Sequence, residues 1–191
     1  MTQLYLLLIA VSLFASIEAL WKNPNPNAAP IFRFFTLLLV NVEWLHSQSK
    51  SESIKTRPNR SMSPIPIFII YIEVLVGVCS AFAGFATLYE ATFYYFVGGI
   101  FLADFFVEVL SLCMKTHAVK RFNLLLIKAM KSWLILDAFE SILFLIAVWV
   151  TISAKLSELS RSISTAIIVI LFLIMNYCCN REFYANTDVA P

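Results

Sequence analysis

Long apolar runs divided by short polar links leave this chain few ways to fold. Six segments are candidates to cross a bilayer: roughly 4–21, 30–45, 65–89, 91–115, 132–154 and 163–179. A transmembrane helix needs about 20 mostly apolar residues. The expected fold is therefore all-α: one compact bundle of five to six transmembrane helices, with residues 1–191 forming a single domain. Composition excludes a soluble fold. The chain is 60% hydrophobic and 14% charged, whereas soluble domains are about 45–50% apolar and about 25% charged. So much apolar surface must use lipid as its solvent.

Two spans carry ambiguities. The first competes with a signal-peptide reading, because Ile17-Glu18-Ala19 could pass as a cleavage site. Its leading Met-Thr-Gln holds no basic residue, so a retained helix is the favoured reading. The second is short and carries Arg33 and Glu43. It could instead be tilted, interfacial or re-entrant.

The links set the topology. "WKNPNPNAAP" (21–30) makes a tight Asn-Pro link. Residues 46–64 form the one clearly hydrophilic loop, and the link at 89–92 is a hairpin with almost no slack. Residues 115–131 are basic but broken by Leu124–Ile127, a pattern of an amphipathic stretch at the membrane surface. Lys50, Lys55, Arg57 and Arg60 lie in one loop, and Lys115, Lys120, Arg121, Lys128 and Lys131 in another. Two spans separate these loops, so they share a side, cytosolic or matrix. Both termini then fall on that side. The sequon at Asn59 would face the wrong compartment and reads as chance.

Against this background the stretch "FLADFFVEVL" (101–110) is unusual. Asp104 and Glu108 are four apart and share one helical face. Asp137 and Glu140, three apart, also share a face in the fifth span, and Glu73 sits in the third. Counted at 1.5 Å per residue, all five lie roughly 8–16 Å from the basic side. They form one intramembrane layer. A charge at mid-membrane costs at least about 2.5–3.5 kcal/mol. Two remedies exist. The layer can hold protons, or Lys115, Lys128 and Lys131 can snorkel towards it. Arg33 and Lys22 are further basic candidates.

Such a layer suits a proton or cation path, or a set of polar clamps between helices or against a partner. The clamp reading is favoured. Spans four and five surround the acids with Phe, Leu, Ile and Val rather than polar lining on several turns, and the acids gather towards one side.

Small residues mark close helix contacts. Gly77, Ala81 and Gly84, with Ser80, line one flank of span three, and Gly98 and Gly99 mark span four. The short hairpin predicts that these two spans meet there. Trp21, Trp44, Trp133, Tyr89 and Tyr177 fall near span ends, as interfacial belts do.

Cys79, Cys113, Cys178 and Cys179 contain no CxxC, and His46 and His117 complete no zinc spacing. No metal, disulfide framework or cofactor is expected. No Walker loop, GxSxG, HExxH or dinucleotide fingerprint is present, so an enzyme is not expected. A net charge of +2 does not point to nucleic acid. "YFVGGIFL" (95–102) resembles a stretch in the third helix of membrane subunit six of complex I. The resemblance covers eight residues. The number of spans and the carboxylates that follow depart from it, and no family is assigned.

The expected function is a non-catalytic accessory subunit of a larger membrane assembly, with lipid and other membrane subunits as partners. A mitochondrial inner membrane is the first expectation for location, by analogy with very apolar accessory subunits. A proton or cation transporter using the acid layer is the alternative, and a small endomembrane tetraspan a third.

Overall fold

The computed structural model describes residues 2–23, 28–55, 67–118, 124–153 and 156–185. Among these no strand occurs, and nearly every residue is helical. The order is α1 (Thr2–Lys22), α2 (Ala29–Lys55), α3 (Ile67–Phe85), a 3-10 turn at Ala86–Leu88, α4 (Glu90–Ala118), α5 (Leu124–Ser153), α6 (Glu158–Cys179) and α7 (Arg181–Ala185).

Local chemistry explains several boundaries. The 3-10 turn ends on Tyr89, whose extended backbone (φ −111°, ψ 96°) breaks the helix and redirects it into α4. The Tyr89 amide donates to the Ala86 carbonyl at 2.7 Å, and the Phe93 amide to that of Tyr89 at 2.8 Å. At the start of α6, Ser157 is the N-cap, and its hydroxyl accepts from the Ser160 amide at 3.2 Å. Glu158 follows in the first turn, where a negative charge complements the helix dipole.

Three described segments are long and apolar enough to cross a membrane: Glu90–Leu110, Lys128–Val150 and Glu158–Cys179. Val74–Leu88 is a shorter apolar helix. Several helices outrun their apolar runs. α2 continues to Lys55, through the first half of the stretch expected to be a hydrophilic loop. α5 begins at Leu124 rather than 132, so half of the expected surface stretch belongs to it. α6 begins at Glu158 rather than 163. The reason is that hydropathy marks where lipid ends, whereas a helix stops only at a cap or a breaker. At 1.5 Å per residue a 30-residue helix is about 45 Å long, more than the roughly 30 Å of hydrocarbon. Residues 56–66, with the sequon, and 119–123, with Lys120 and Arg121, lie outside the described residues.

The helices do not pack in sequence order. Each meets the next in the series α1, α3, α4, α5, α6, α2, and α2 returns to α1. α2 also touches α3 and α4. Paired contacts give the directions. Ser12 meets Ser80 while Ser16 meets Gly84, so α1 and α3 are parallel. Asn41 meets Ser80 while Arg33 meets Thr87, so α2 runs against α3. α4 also runs against α3, with Gly99 beside Cys79. The C-terminal ends of α2 and α4 therefore lie at one end of the bundle, the end from which both basic links leave.

Leu37, Val76, Phe93, Tyr94, Val97, Phe144 and Val169 fill the centre. Phe14, Phe85, Phe139 and Trp149 point outward. Large apolar groups thus lie both in the core and on the outside, as suits a bundle in lipid. In lipid, apolar burial supplies little drive, so packing and interhelical hydrogen bonds must hold the helices. The aromatic belt is only partly as expected. Trp21, Tyr89 and Tyr177 are exposed, but Trp44 is buried, and the Trp133 indole donates to Asn176 at 2.9 Å inside the bundle.

Candidate functional site

Four interior polar groups stand out, the first two of which meet at Thr87.

The first clamps α1, α3 and α2. Ser12 donates to the Ser80 carbonyl at 2.8 Å, and Ser80 donates to the Asn41 side-chain oxygen at 2.8 Å. One turn on, Ser16 lies 2.9 Å from the Thr87 hydroxyl. These contacts require close backbones. A Cβ added at Gly84 would fall 2.2 Å from the Ser12 carbonyl oxygen. Gly84 thus serves α1, not α4 as the short hairpin suggested; α4 faces another side of α3. Gly77 and Ala81 are buried on the same helix. Gly99 approaches Cys79 of α3, and Gly98 approaches Phe144 of α5.

The second group lies at the hairpin end. Arg33 is 1% exposed. Its Nε donates to the Thr87 carbonyl at 2.7 Å, Nη1 to Ser162 at 3.4 Å, and Nη2 pairs with Glu158 at 2.8 Å. Beside it, Arg161 grips both carboxylate oxygens of Glu90, at 2.9 and 2.5 Å. Tyr94 completes the layer, with its hydroxyl 3.3 Å from Ser162. Arg33 is thus committed to Glu158 and to the 3-10 turn. It does not serve the acid layer.

The third group is that acid layer. Glu108, Asp137 and Glu140 are buried, and Asp104 is half-buried. Asp137 lies within electrostatic reach of Asp104, Glu108, Glu140 and Glu43, and Glu140 within reach of Glu43 and Asp104. Helices α4 and α5 therefore bring four of the expected acids together, and α2 adds Glu43. Glu73 lies on α3, but its side chain is outside the described residues, as is that of Lys115. The other expected basic partners point elsewhere. Lys128 pairs with Glu182 of α7 at 3.3 Å, both well exposed, and Lys131 is exposed. Lys22 pairs with Glu18 on its own helix. α7 folds the end of the chain back over α5, and this short helix carries no apolar run that would announce it.

Between the acid layer and the end of the bundle sits an amide and aromatic cluster. Asn176 donates to Glu43 and, at 3.4 Å, to the Tyr184 hydroxyl. Its side-chain oxygen accepts from Trp133 and, at 2.6 Å, from Asn180. The exposed His46 ring lies 5.0 Å from that of Tyr184. Phe183 is buried against Ala129 and Met130. Glu43, Asn176, Asn180 and the Arg33 and Arg161 pairs were not assigned together from sequence. A polar residue on an apolar helix was their only signal.

Among the described residues no group of three or more His, Cys, Asp or Glu side chains is placed to hold a metal ion. The fold and its polar layers define an all-helical protein compatible with integration in a membrane. No protein-family model, curated protein or solved structure matches the chain.

Proposed function

We propose that the chain is a polytopic membrane protein of six spans with a non-catalytic role, an accessory subunit within a larger membrane assembly. One observation carries this reading. Away from the acid layer, several interior polar side chains are engaged in ties between helices distant in sequence: Ser12 with Ser80, Ser80 with Asn41, Arg33 with Thr87 and Glu158, and Glu90 with Arg161. Such ties hold α1, α2, α3, α4 and α6 in one fixed arrangement, which suits a scaffold better than a moving transporter. The outer face, with Phe14, Phe139 and Trp149, offers apolar contact to lipid and neighbouring subunits. An energy-transducing organelle membrane is the proposed location, the mitochondrial inner membrane first and an endomembrane second, by analogy of composition.

The test is native electrophoresis after mild solubilisation. The 21.7 kDa chain should migrate in a band far larger than itself plus detergent. Migration alone would overturn the reading. The second reading, a proton or cation conduit, draws on the converging carboxylates. Replacing Asp104 with Asn separates the two. A scaffold keeps its assembly with the amide and loosens with Leu. A conduit loses flux in reconstituted vesicles with Asn while its assembly survives.

A further inference from the structure

The C-terminal end of α6 carries two adjacent thiols on the outside of the bundle. Cys178 and Cys179 are both free and both exposed. They cannot bridge each other, because consecutive Cα atoms lie about 3.8 Å apart, closer than the roughly 4.4 Å that a disulfide needs. Cys79 differs: it is half-buried beside Gly99 of α4.

Helical geometry gives the pair a direction. α6 buries Ser162, Val169 and Asn176 against the bundle. At about 100° per residue, Cys178 lies almost opposite Asn176 on the helix. It heads an exposed apolar strip through Ile174, Leu171 and Ile167, and Cys179 stands four residues beyond the exposed Met175. A helical side chain covers the turn N-terminal to its own Cα, so a group carried by either thiol starts over the turn of Ile174 and Met175.

The depth of the pair follows from the segment it closes. Glu158–Cys179 is long and apolar enough to cross a membrane. Its 22 residues span about 33 Å at 1.5 Å each, against roughly 30 Å of hydrocarbon, so the pair lies within a turn of the membrane surface. Exposed Arg181 and Glu182 follow at once, and Glu182 meets the exposed Lys128 of α5 at the same end. α6 runs parallel to α2, since Arg33 pairs with Glu158 near the start of both and Glu43 accepts from Asn176 further along both. Cys178 and Cys179 therefore sit at the end from which both basic links leave, the cytosolic or matrix side. Juxtamembrane thiols of this kind are acceptors for fatty acyl groups.

We propose that Cys178 and Cys179 form an S-acylation site that takes long-chain fatty acyl groups. The sulfur of either cysteine attacks the carbonyl carbon of a fatty acyl-coenzyme A. A carbon–sulfur bond forms, the bond to the coenzyme A sulfur breaks, and coenzyme A leaves with the proton that the cysteine gives up. Nothing is oxidised or reduced. The attached chain then runs along the outward strip of α6 into hydrocarbon, where its methylenes are buried. It holds the end of α6, and with it α7, at the membrane surface. The compartment rests on the six-span topology proposed above, whereas the site itself rests on exposure and depth.

Metabolic labelling of the full chain in eukaryotic cells with an alkynyl palmitate analogue tests it. The wild type should carry a label that neutral hydroxylamine releases, because hydroxylamine cleaves thioesters. The label should fall several-fold when Cys178→Ser and Cys179→Ser are combined, fall less in each single variant, and stay unchanged in Cys79→Ser. No label in the wild type, a label that resists hydroxylamine, or a label undiminished in the double variant would overturn the site. An impermeant thiol reagent tests the topology separately. After hydroxylamine, Cys178 should react from the same side as a cysteine introduced by Lys55→Cys. Reaction from opposite sides would overturn the topology and the compartment, whereas the acyl label alone decides the site.

Discussion

Gly84 shows how much one missing methyl decides. Its helix and α1 run parallel, and the Ser12 carbonyl oxygen occupies the space where a side chain would begin. In lipid, close backbone approach is a main source of helix association. Gly84→Ala should separate α1 from α3 and break the Ser12–Ser80 and Ser16–Thr87 contacts. Overpacking of this kind costs about 1–3 kcal/mol. Gly99→Ala is the control, since its added carbon would meet only the side chain of Cys79 at 3.3 Å, which can shift. Denaturant titration of the two purified variants should rank Gly84→Ala as much the weaker. Equal midpoints would refute the backbone contact.

At the scale of elements, α2 is tied at several heights. Arg33 anchors it to α6 and to the 3-10 turn, Asn41 to α3, and Glu43 to α6 through Asn176. A positive group at 1% exposure inside an apolar bundle is tolerable only with its partners present. Arg33→Met removes the charge and leaves Glu158 to be rehydrated, because that carboxylate is 36% exposed. The loss should be about 3 kcal/mol, at the low end for breaking a buried pair. Glu158→Gln should cost at least as much, about 3 kcal/mol or more, since it leaves the buried Arg33 charge without its anion. Thermal unfolding in detergent measures both. A Glu158→Gln loss well below that of Arg33→Met would mean that the bond to Thr87, rather than the pair, holds the buried charge.

At the scale of the whole molecule, the alternating helix directions bring the C-terminal ends of α2 and α4 to one end of the bundle. In a membrane the two basic links should then face one compartment. Single cysteines placed at Lys55 and Lys120, in a variant lacking the native four, should react with an impermeant thiol reagent from the same side. Labelling from opposite sides would break the six-span topology.

Hydropathy and helical spacing alone determined that this chain is helical and suited to lipid, and that Asp104 with Glu108, and Asp137 with Glu140, share faces. Those properties are local: they follow from the order of residues along one helix. The tertiary structure decided what no single helix contains. It made α1 rather than α4 the partner of Gly84, joined Glu43 to the acids of α4 and α5, drew Arg33 away to Glu158, and turned Trp44 and Trp133 inward. The physical reason is that helices apolar on most faces carry no strong stripe to fix their rotation or their neighbours. Where apolar surface is indifferent, a few serines, asparagines and ion pairs choose the packing order, and their partners lie on helices far away in sequence.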